Sequence, residues 1–216
     1  MKVLFTSAVV FVCIFVVSCS KHSSGPNPGS GPNSIFPLTY GSTWYYMDSA
    51  WQDTTLVAAY LDTMTVTKNT YQDQNGTVYL ELNDTTGWFD GSYISVDPSN
   101  DAIYEVDSPY FSPYTFFAVA QTDGQLIGTG TDVTNPACPL YTNQYGWVTT
   151  VAVGPWQCYE NLEYTVDCNN NPQEQIVSYV AQGVGVVRIV HYLPDSATGP
   201  LLEDYSQTLQ SANIIK

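Results

Sequence analysis

The chain has 216 residues, with 20 acidic and five basic side chains and a net charge of −15 at pH 7. This length suits one domain with a substantial core and does not require two. So acidic a surface repels phosphate backbones and anionic lipid headgroups, which argues against nucleic acid as a partner. The 17 Tyr residues, together with many Thr, Asn, Ser and Gly residues, are typical of an extracytoplasmic protein built from strands and tight turns.

Residues 1–18 have the pattern of an export signal. Lys2 gives a positive start, and a largely apolar stretch of 15 residues follows it. A helix that crosses a bilayer needs about 20 such residues, whereas the apolar part of a signal peptide is shorter. The stretch therefore predicts a cleaved signal peptide rather than a membrane span.

The four residues Val16-Val17-Ser18-Cys19 resemble the lipobox of bacterial lipoproteins, with Val at the first position where Leu is more common. The resemblance implies that the Cys19 thiol receives diacylglycerol, that cleavage precedes Cys19, and that the new N-terminus usually receives a further acyl chain. Several acyl chains, at about 0.8 kcal/mol per buried CH₂, anchor a protein stably. The alternative is an ordinary secretory signal in which Cys19 is incidental.

Residues 20–34, SKHSSGPNPGSGPNS, have no aliphatic side chain and are rich in Ser, Gly and Pro. Such a tract cannot bury enough apolar surface to fold, so residues 19–34 are predicted to be a lipidated Cys followed by a disordered tether. Its root-mean-square span is roughly 20 Å by random-coil scaling. His22 in this tract is a solvated residue. We expect a lipid-anchored protein of the cell envelope, in the outer membrane. Residues 20–34, directly after Cys19, contain no acidic side chain, which slightly favours the periplasmic side.

Residues 35–216 are predicted to form one all-β domain, because short alternating runs are separated by Gly, Pro, Asn and Asp and no helical period persists. Asn75-Gly76 predicts a hairpin with a type I′ turn, and Gly154-Pro155 and Gly183 predict further turns. Long final strands favour a single antiparallel, strongly curved sheet, as a half-barrel or barrel, over a compact sandwich. The candidate strands are residues 44–49, 62–68, 77–82, 87–96, 102–106, 115–121, 145–153, 157–166, 175–181, 184–192 and 203–212.

Three cysteines of the domain, Cys138, Cys158 and Cys168, predict one disulfide and one free thiol in an oxidising compartment. A hairpin at Gly154-Pro155 places Cys138 opposite residue 171 or so, near Cys168. Cys158 and Cys168 would lie about 33 Å apart along one extended strand, beyond the roughly 7 Å limit for a disulfide. Cys138 with Cys168 is therefore the predicted pair, while a bend in the strand would leave Cys138 with Cys158 open.

Two motifs resemble a loose group of uncharacterised lipoproteins and secreted proteins of Gram-negative bacteria. FPLTYGSTWYY at residues 36–46 resembles their FPL..G..W.Y opening, and VAVGPWQCYE followed by YVAQGVGVVRIVHY resembles their closing hairpin and Y.A.GVG.V pattern. The resemblance implies an antiparallel, curved β domain tied to an envelope membrane, and it implies no activity. The residues themselves predict that Trp44 and Tyr46 plug a barrel end and that Gly183 and Gly185 permit a turn and a close backbone approach.

The sequence offers little catalytic chemistry. His191 is the sole imidazole of the domain, and it is expected on the polar face of a strand, beside a carboxylate or water. The cysteine spacings lack a zinc pattern, and we expect no cofactor. Three loops are rich in the oxygen ligands that calcium prefers, but none matches the twelve-residue calcium-binding motif. Turn formation is therefore the expected role of their residues. These residues are Asp73, Asn75, Asp84, Asp90, Asp97, Asn100 and Asp101.

Two functions follow from these observations. The first is a non-enzymatic, membrane-anchored envelope lipoprotein whose β domain is a binding or scaffold module, for an apolar ligand, a glycan or an envelope protein. Tyr and Trp side chains suit that role, since they stack on sugar rings and line lipid cavities. The alternative is an envelope polysaccharide or ester hydrolase that uses carboxylates, which requires two acids roughly 5 to 10 Å apart in a cleft.

Overall fold

The computed structural model describes residues 34–52, 54–85, 87–89, 91–97, 102–106, 114–196 and 199–215. These residues form one antiparallel sheet that curves until it is nearly closed into a barrel, which confirms the all-β prediction. No described helix is long and apolar enough to cross a membrane. The predicted signal peptide and Cys19 lie outside the described residues. The strands are β1 (Thr43–Gln52), β2 (Thr55–Gln72), β3 (Val78–Asp84), β4 (Tyr93–Asp97), β5 (Ala102–Val106), β6 (Tyr114–Ala118), β7 (Gln125–Asp132), β8 (Leu140–Gly146), β9 (Val151–Val153), β10 (Trp156–Val166), β11 (Pro172–Ala181), β12 (Gly185–Pro194) and β13 (Leu201–Asn213).

The order of strands around the sheet is β6-β5-β4-β3-β2-β1-β13-β12-β11-β10-β8-β7, with β9 paired to β10. All pairings except that of β1 with β13 and that of β8 with β10 join strands that are consecutive in the chain. The pairing of β1 with β13 brings together the first and last strands, and it places Trp44 opposite Ala212. The two ends of the path, β6 and β7, leave a gap between them that we call the seam.

One end of the barrel is packed with the residues that follow the predicted tether. Ile35, Phe36 and Leu38 are fully buried, and the backbone N–H of Gly183 donates to the carbonyl of Ser34 at 2.9 Å. This contact fixes Ser34, the last residue of the predicted tether, beside the turn between β11 and β12. We call this the tether end.

The two motifs of the sequence meet at the tether end. The Trp44 indole donates to the carbonyl of Val184 at 2.6 Å, and the Tyr46 hydroxyl donates to that of Val186 at 2.8 Å. Gly185 has a φ of 95°, and a Cβ there would collide with the ring of Phe36. The prediction that Trp44 and Tyr46 plug a barrel end is therefore confirmed, and Gly185 is required for both its backbone angle and its lack of a side chain.

The hairpin at Asn75-Gly76 is present between β2 and β3, but its turn is not type I′. Gly76 has a positive φ of 87°, whereas Asn75 is absent from the described non-Gly residues with positive φ. The loop is longer because the Asp73 carboxylate accepts hydrogen bonds from the backbone N–H groups of Asn75 and Thr77, at 2.9 and 2.8 Å. Asp73 and Asn75 thus have the structural role expected for turn residues.

Candidate functional site

A cleft of about 430 Å³ opens at the seam, between the two ends of the sheet. Its volume lies within the range of ligand pockets in proteins, about 300–1,000 Å³. Strands from both sides of the seam contribute to it, so the incomplete closure of the barrel creates the space. Its lining is Tyr114 and Thr115 from β6, Gly128, Thr129 and Gly130 from β7, Thr142 and Gln144 from β8, and Glu163 from β10.

The cleft is open because β7 contributes almost no side chains to its floor. Gly128 and Gly130 occupy alternate positions of the strand and therefore share one face. A Cβ at Gly130 would lie 3.7 Å from the Cβ of Thr142, an ordinary contact, so this glycine is not required by local packing. The glycines instead leave bare backbone where a ligand can approach closely.

A second cavity of about 70 Å³ lies deeper in the barrel. It shares Tyr114, Gln144 and Glu163 with the cleft, so the two spaces adjoin. Its other walls are Trp88, Phe116, Asn161, Ile176 and Ser178. Aromatic and amide side chains thus meet at the inner end of the site.

Side-chain amides bridge part of the seam where a backbone ladder is missing. The Asn161 side chain accepts from the N–H of Ala118 at 3.0 Å and donates to its carbonyl at 2.9 Å. Gln144 donates to the carbonyl of Phe116 at 2.7 Å. These amides satisfy alternate residues of the β6 edge much as a neighbouring strand would, and they hold β6 against β8 and β10.

The acidic groups nearest the site are Glu163 and the carboxylates around His191. Burial, together with the charge of Glu174, raises the pKa of Glu163 above its usual value. His191 bonds Glu174 at 2.7 Å and lies 3.5 Å from Asp204, and the hydrogen bond with Glu174 raises its pKa. This confirms the expected carboxylate partner of His191, whose ring also contacts Trp88 with the ring centroids 5.9 Å apart.

A cluster of three buried carboxyls lies elsewhere in the barrel. Asp48, Asp62 and Asp84 come from adjacent strands β1, β2 and β3 and are at most 4% exposed. Tyr205 donates to Asp48 at 2.8 Å, and the backbone N–H of Phe89 donates to Asp84 at 2.9 Å. Burial, and then the hydrogen bond with Asp62, raises the pKa of Asp84 to about 8. We call these residues the acidic cluster.

The arrangement of the acidic cluster differs from that of a glycoside hydrolase. The pairing of β2 with β3 puts Asp62 and Asp84 on one face of the sheet, close enough for Asp62 to raise the pKa of Asp84, whereas hydrolases separate their carboxyls by about 5 Å or more to admit substrate or water. Among the described residues, no group of three His, Cys, Asp or Glu side chains could hold a metal ion. The raised pKa of Asp84 lets that carboxyl keep its proton near neutral pH.

The cysteines pair as predicted. Cys138 and Cys168 form a disulfide that spans 30 residues, and Cys158 is a buried free thiol. Burial raises the pKa of Cys158 to about 11, so the thiol stays protonated at neutral pH and is a poor nucleophile. Asp84, expected in a turn, is instead the last residue of β3 and is fully buried. Asp90, Asn100, Asp101 and His22 lie outside the described residues.

The cleft has no recognisable motif in the sequence. The sequence predicts neither β7 nor the roles of Gln144 and Asn161, because isolated amides in strands carry no recognisable pattern. The signal that was present is the run GTGT at residues 128–131, in which glycine alternates with a β-branched residue. Such alternation indicates a strand in which one face consists of glycines and therefore has no side chains.

Comparison with known proteins gives a limited result. No family model and no curated protein matches the chain. A presumed lipoprotein of Parabacteroides distasonis is similar in structure, with 12% sequence identity and a TM-score of 0.42, over 84% of this chain and 99% of that one. A presumed exported protein of Bacteroides fragilis with a YmcC-like fold has 10% identity and a TM-score of 0.48, over 82% of this chain and 98% of that one.

Proposed function

We propose that the protein is a lipid-anchored envelope lipoprotein whose barrel is a non-enzymatic binding module, with the seam cleft as its ligand site. The observation that carries the proposal is the cleft of about 430 Å³, which adjoins an inner cavity. Cys19 supplies the anchor, to the outer membrane on its periplasmic side. The tether gives the domain a reach of roughly 20 Å from the bilayer.

The lining of the cleft favours a neutral ligand that carries hydroxyl groups, such as a segment of a glycan. Thr115 and Thr142, the Gln144 amide and the carboxyl of Glu163 line it beside the Tyr114 ring. Aromatic rings bind the faces of sugars, while amides and hydroxyls bond their hydroxyl groups. The net charge of −15 disfavours an anionic ligand, and the polar lining disfavours a purely apolar one.

Filling the cleft tests this function. Gly130→Leu places a side chain into the cleft without local strain, since a Cβ there makes only an ordinary contact. Thr131→Leu is the matched control, because the adjacent residue of β7 points to the opposite face and is exposed. In calorimetric titrations with neutral oligosaccharides from the envelope, we expect the wild type and Thr131→Leu to bind equally and Gly130→Leu to lose at least about tenfold in affinity, or about 1.4 kcal/mol.

Two results would overturn the binding site. One is that the wild type binds no neutral oligosaccharide, and the other is that Gly130→Leu binds as well as Thr131→Leu. Shortened oligosaccharides in the same samples, detected by mass spectrometry, would instead favour the hydrolase. Loss of that cleavage in Asp84→Asn would assign it to the acidic cluster.

The anchor is tested separately. In bacteria grown with radiolabelled palmitate, the wild type is expected to take up label and to sediment with the outer membrane. Cys19→Ala should lose both properties, whereas Cys13→Ala, which changes a cysteine of the signal itself, should keep them. Equal labelling of Cys19→Ala and the wild type would contradict lipidation at Cys19.

A further inference from the structure

Several buried oxygens of the acidic cluster have no hydrogen-bond donor. They are Asp48 Oδ1, Asp62 Oδ2, Asp84 Oδ1 and the amide oxygen of Gln207, a residue that is fully buried. The other end of the Gln207 amide lies 3.5 Å from Asp84 Oδ2, so its unpartnered oxygen belongs to the same cluster. Because buried acceptors are nearly always satisfied, their grouping indicates that something supplies positive charge or hydrogen there.

A proton fits this site better than a cation does. Among the described residues, no Lys, Arg or His side chain forms an ion pair with the three carboxyls, and no group of three acidic side chains could hold a metal. A protonated carboxyl is itself a donor, so each proton held there supplies a hydrogen to an unpartnered oxygen. The other titratable groups that face the carboxyls are Tyr46, Tyr60 and Tyr205, none of which carries positive charge.

The acidic cluster contacts the segment that follows β3. We call its residues Gly87, Trp88 and Phe89 the Trp88 segment. The N–H of Phe89 donates to Asp84, and a Cβ on Gly87 would collide with the Asp84 carboxyl and the Gln207 amide. The Phe89 ring packs edge-on against Phe116 of β6, with centroids 5.0 Å apart. Trp88, between these two contacts, forms a wall of the inner cavity.

We propose that Asp62 and Asp84 form a proton-operated catch: while the pair holds a proton, the Trp88 segment stays closed on the inner cavity, and release of that proton to solvent frees the segment. When both carboxyls are ionised, two like charges lie on one face of neighbouring strands within the barrel, and lifting Gly87 and Phe89 admits water that reduces their repulsion. The raised pKa of Asp84, about 8, places this change on the alkaline side of neutrality. The inference rests on the proposed function only in that the inner cavity belongs to the ligand site.

Hydrogen exchange at the Phe89 amide tests the catch without any ligand. The acylated protein in detergent micelles is compared at pH 6 and pH 9, with each rate corrected for the intrinsic exchange rate at that pH. We expect the protection of the wild-type Phe89 amide to fall by at least about tenfold at pH 9, since each unit of pH beyond the pKa changes the equilibrium about tenfold. Asp84→Asn, whose side-chain oxygen still accepts from Phe89, should keep its protection within about twofold at both pH values.

The control is Asp132→Asn, which removes one exposed carboxylate at the end of β7 and should retain the wild-type response. Asp62→Asn is the second variant of the pair, and it keeps the test decisive if Asp84→Asn does not fold. The catch is refuted if the neutralised variants lose protection at pH 9 as the wild type does. It is also refuted if added Ca²⁺ or EDTA, rather than pH, controls the exchange, because a cation would then occupy the site.

Repeating the oligosaccharide titrations at pH 6 and pH 9 separates this inference from the proposed function. If the exchange responds to pH and no oligosaccharide binds, the catch stands and the ligand assignment fails. If an oligosaccharide binds with the same affinity at both pH values while exchange at Phe89 does not change, the binding site stands and the catch fails.

Discussion

The tether end and the seam belong to one sheet, yet different forces close them. At the tether end, the buried side chains of Phe36, Trp44 and Tyr46 fill the barrel, and two of them also bond backbone carbonyls of β12 and the turn before it. At the seam, the amides of Gln144 and Asn161 link the β6 edge to β8 and β10 beside an open cleft. Apolar packing thus fixes the tether end, while polar contacts hold the seam beside the open cleft.

The difference follows from the cost of opening each region. Buried aromatic side chains lose a large transfer free energy when they are exposed, so the tether end is expected to stay closed. A hydrogen bond between an amide and a backbone group contributes only about 1 kcal/mol net, because water replaces it. We therefore expect the seam to open far more readily than the tether end, as a binding site requires.

The largest expected effect is that of Trp44→Ala. The indole is fully buried, so its loss leaves a cavity and an unpaired carbonyl at Val184, at a cost of about 3–5 kcal/mol. Tyr45→Ala, at the next position on the opposite face and 43% exposed, should cost less than about 1 kcal/mol. Urea denaturation of both variants measures the difference. Similar midpoints for the two would show that the aromatic plug does not stabilise the tether end.

The second effect concerns the disulfide, which links the ends of β8 and β10 on the seam side of the barrel. Cys138 precedes β8 and Cys168 follows β10, and the bond closes a loop of 30 residues. The double variant Cys138→Ala with Cys168→Ala should lose about 3–4 kcal/mol by the loop-entropy estimate. A reducing agent should lower the urea midpoint of the wild type to that of the variant and leave the variant unchanged. If the reducing agent had no effect on the wild type, the disulfide would contribute nothing to stability.

The local parts of this fold could be predicted from the sequence. The hairpin before Trp156 pairs that residue with Val153, and β8 pairs with the same strand two residues out of the hairpin register, with Tyr141 opposite Val166. That register brings Cys138 and Cys168 together, as the hairpin at Gly154-Pro155 implied. Trp44 and Tyr46 were predictable for the same reason, because alternation along one strand sets which side chains share a face.

The site could not be predicted, because it depends on contacts that the sequence does not encode locally. Asp62 and Asp84 meet only because β2 and β3 pair with an irregularity between Val66 and Thr70. Asp84 is followed by Thr-Thr-Gly and so resembled a turn residue. The seam depends on where a sheet of 13 strands stops short of closure, which is a property of total curvature and not of any one motif.

The smallest expected effect, and the sharpest test of the comparison, is that of Asn161→Ala at the seam. Its side chain satisfies both backbone groups of Ala118, so its removal should cost about 1–3 kcal/mol, less than Trp44→Ala. Gln157→Ala is the control, since this exposed side chain lies on the same strand and makes only a long hydrogen bond, which it accepts from the Thr150 hydroxyl at 3.4 Å. In hydrogen exchange, Asn161→Ala should speed exchange at the Ala118 amide while the amides of β12 keep their protection. Equal loosening of β12 would mean that the seam and the tether end open together, and that the two regions are one cooperative unit rather than a rigid end and a yielding side.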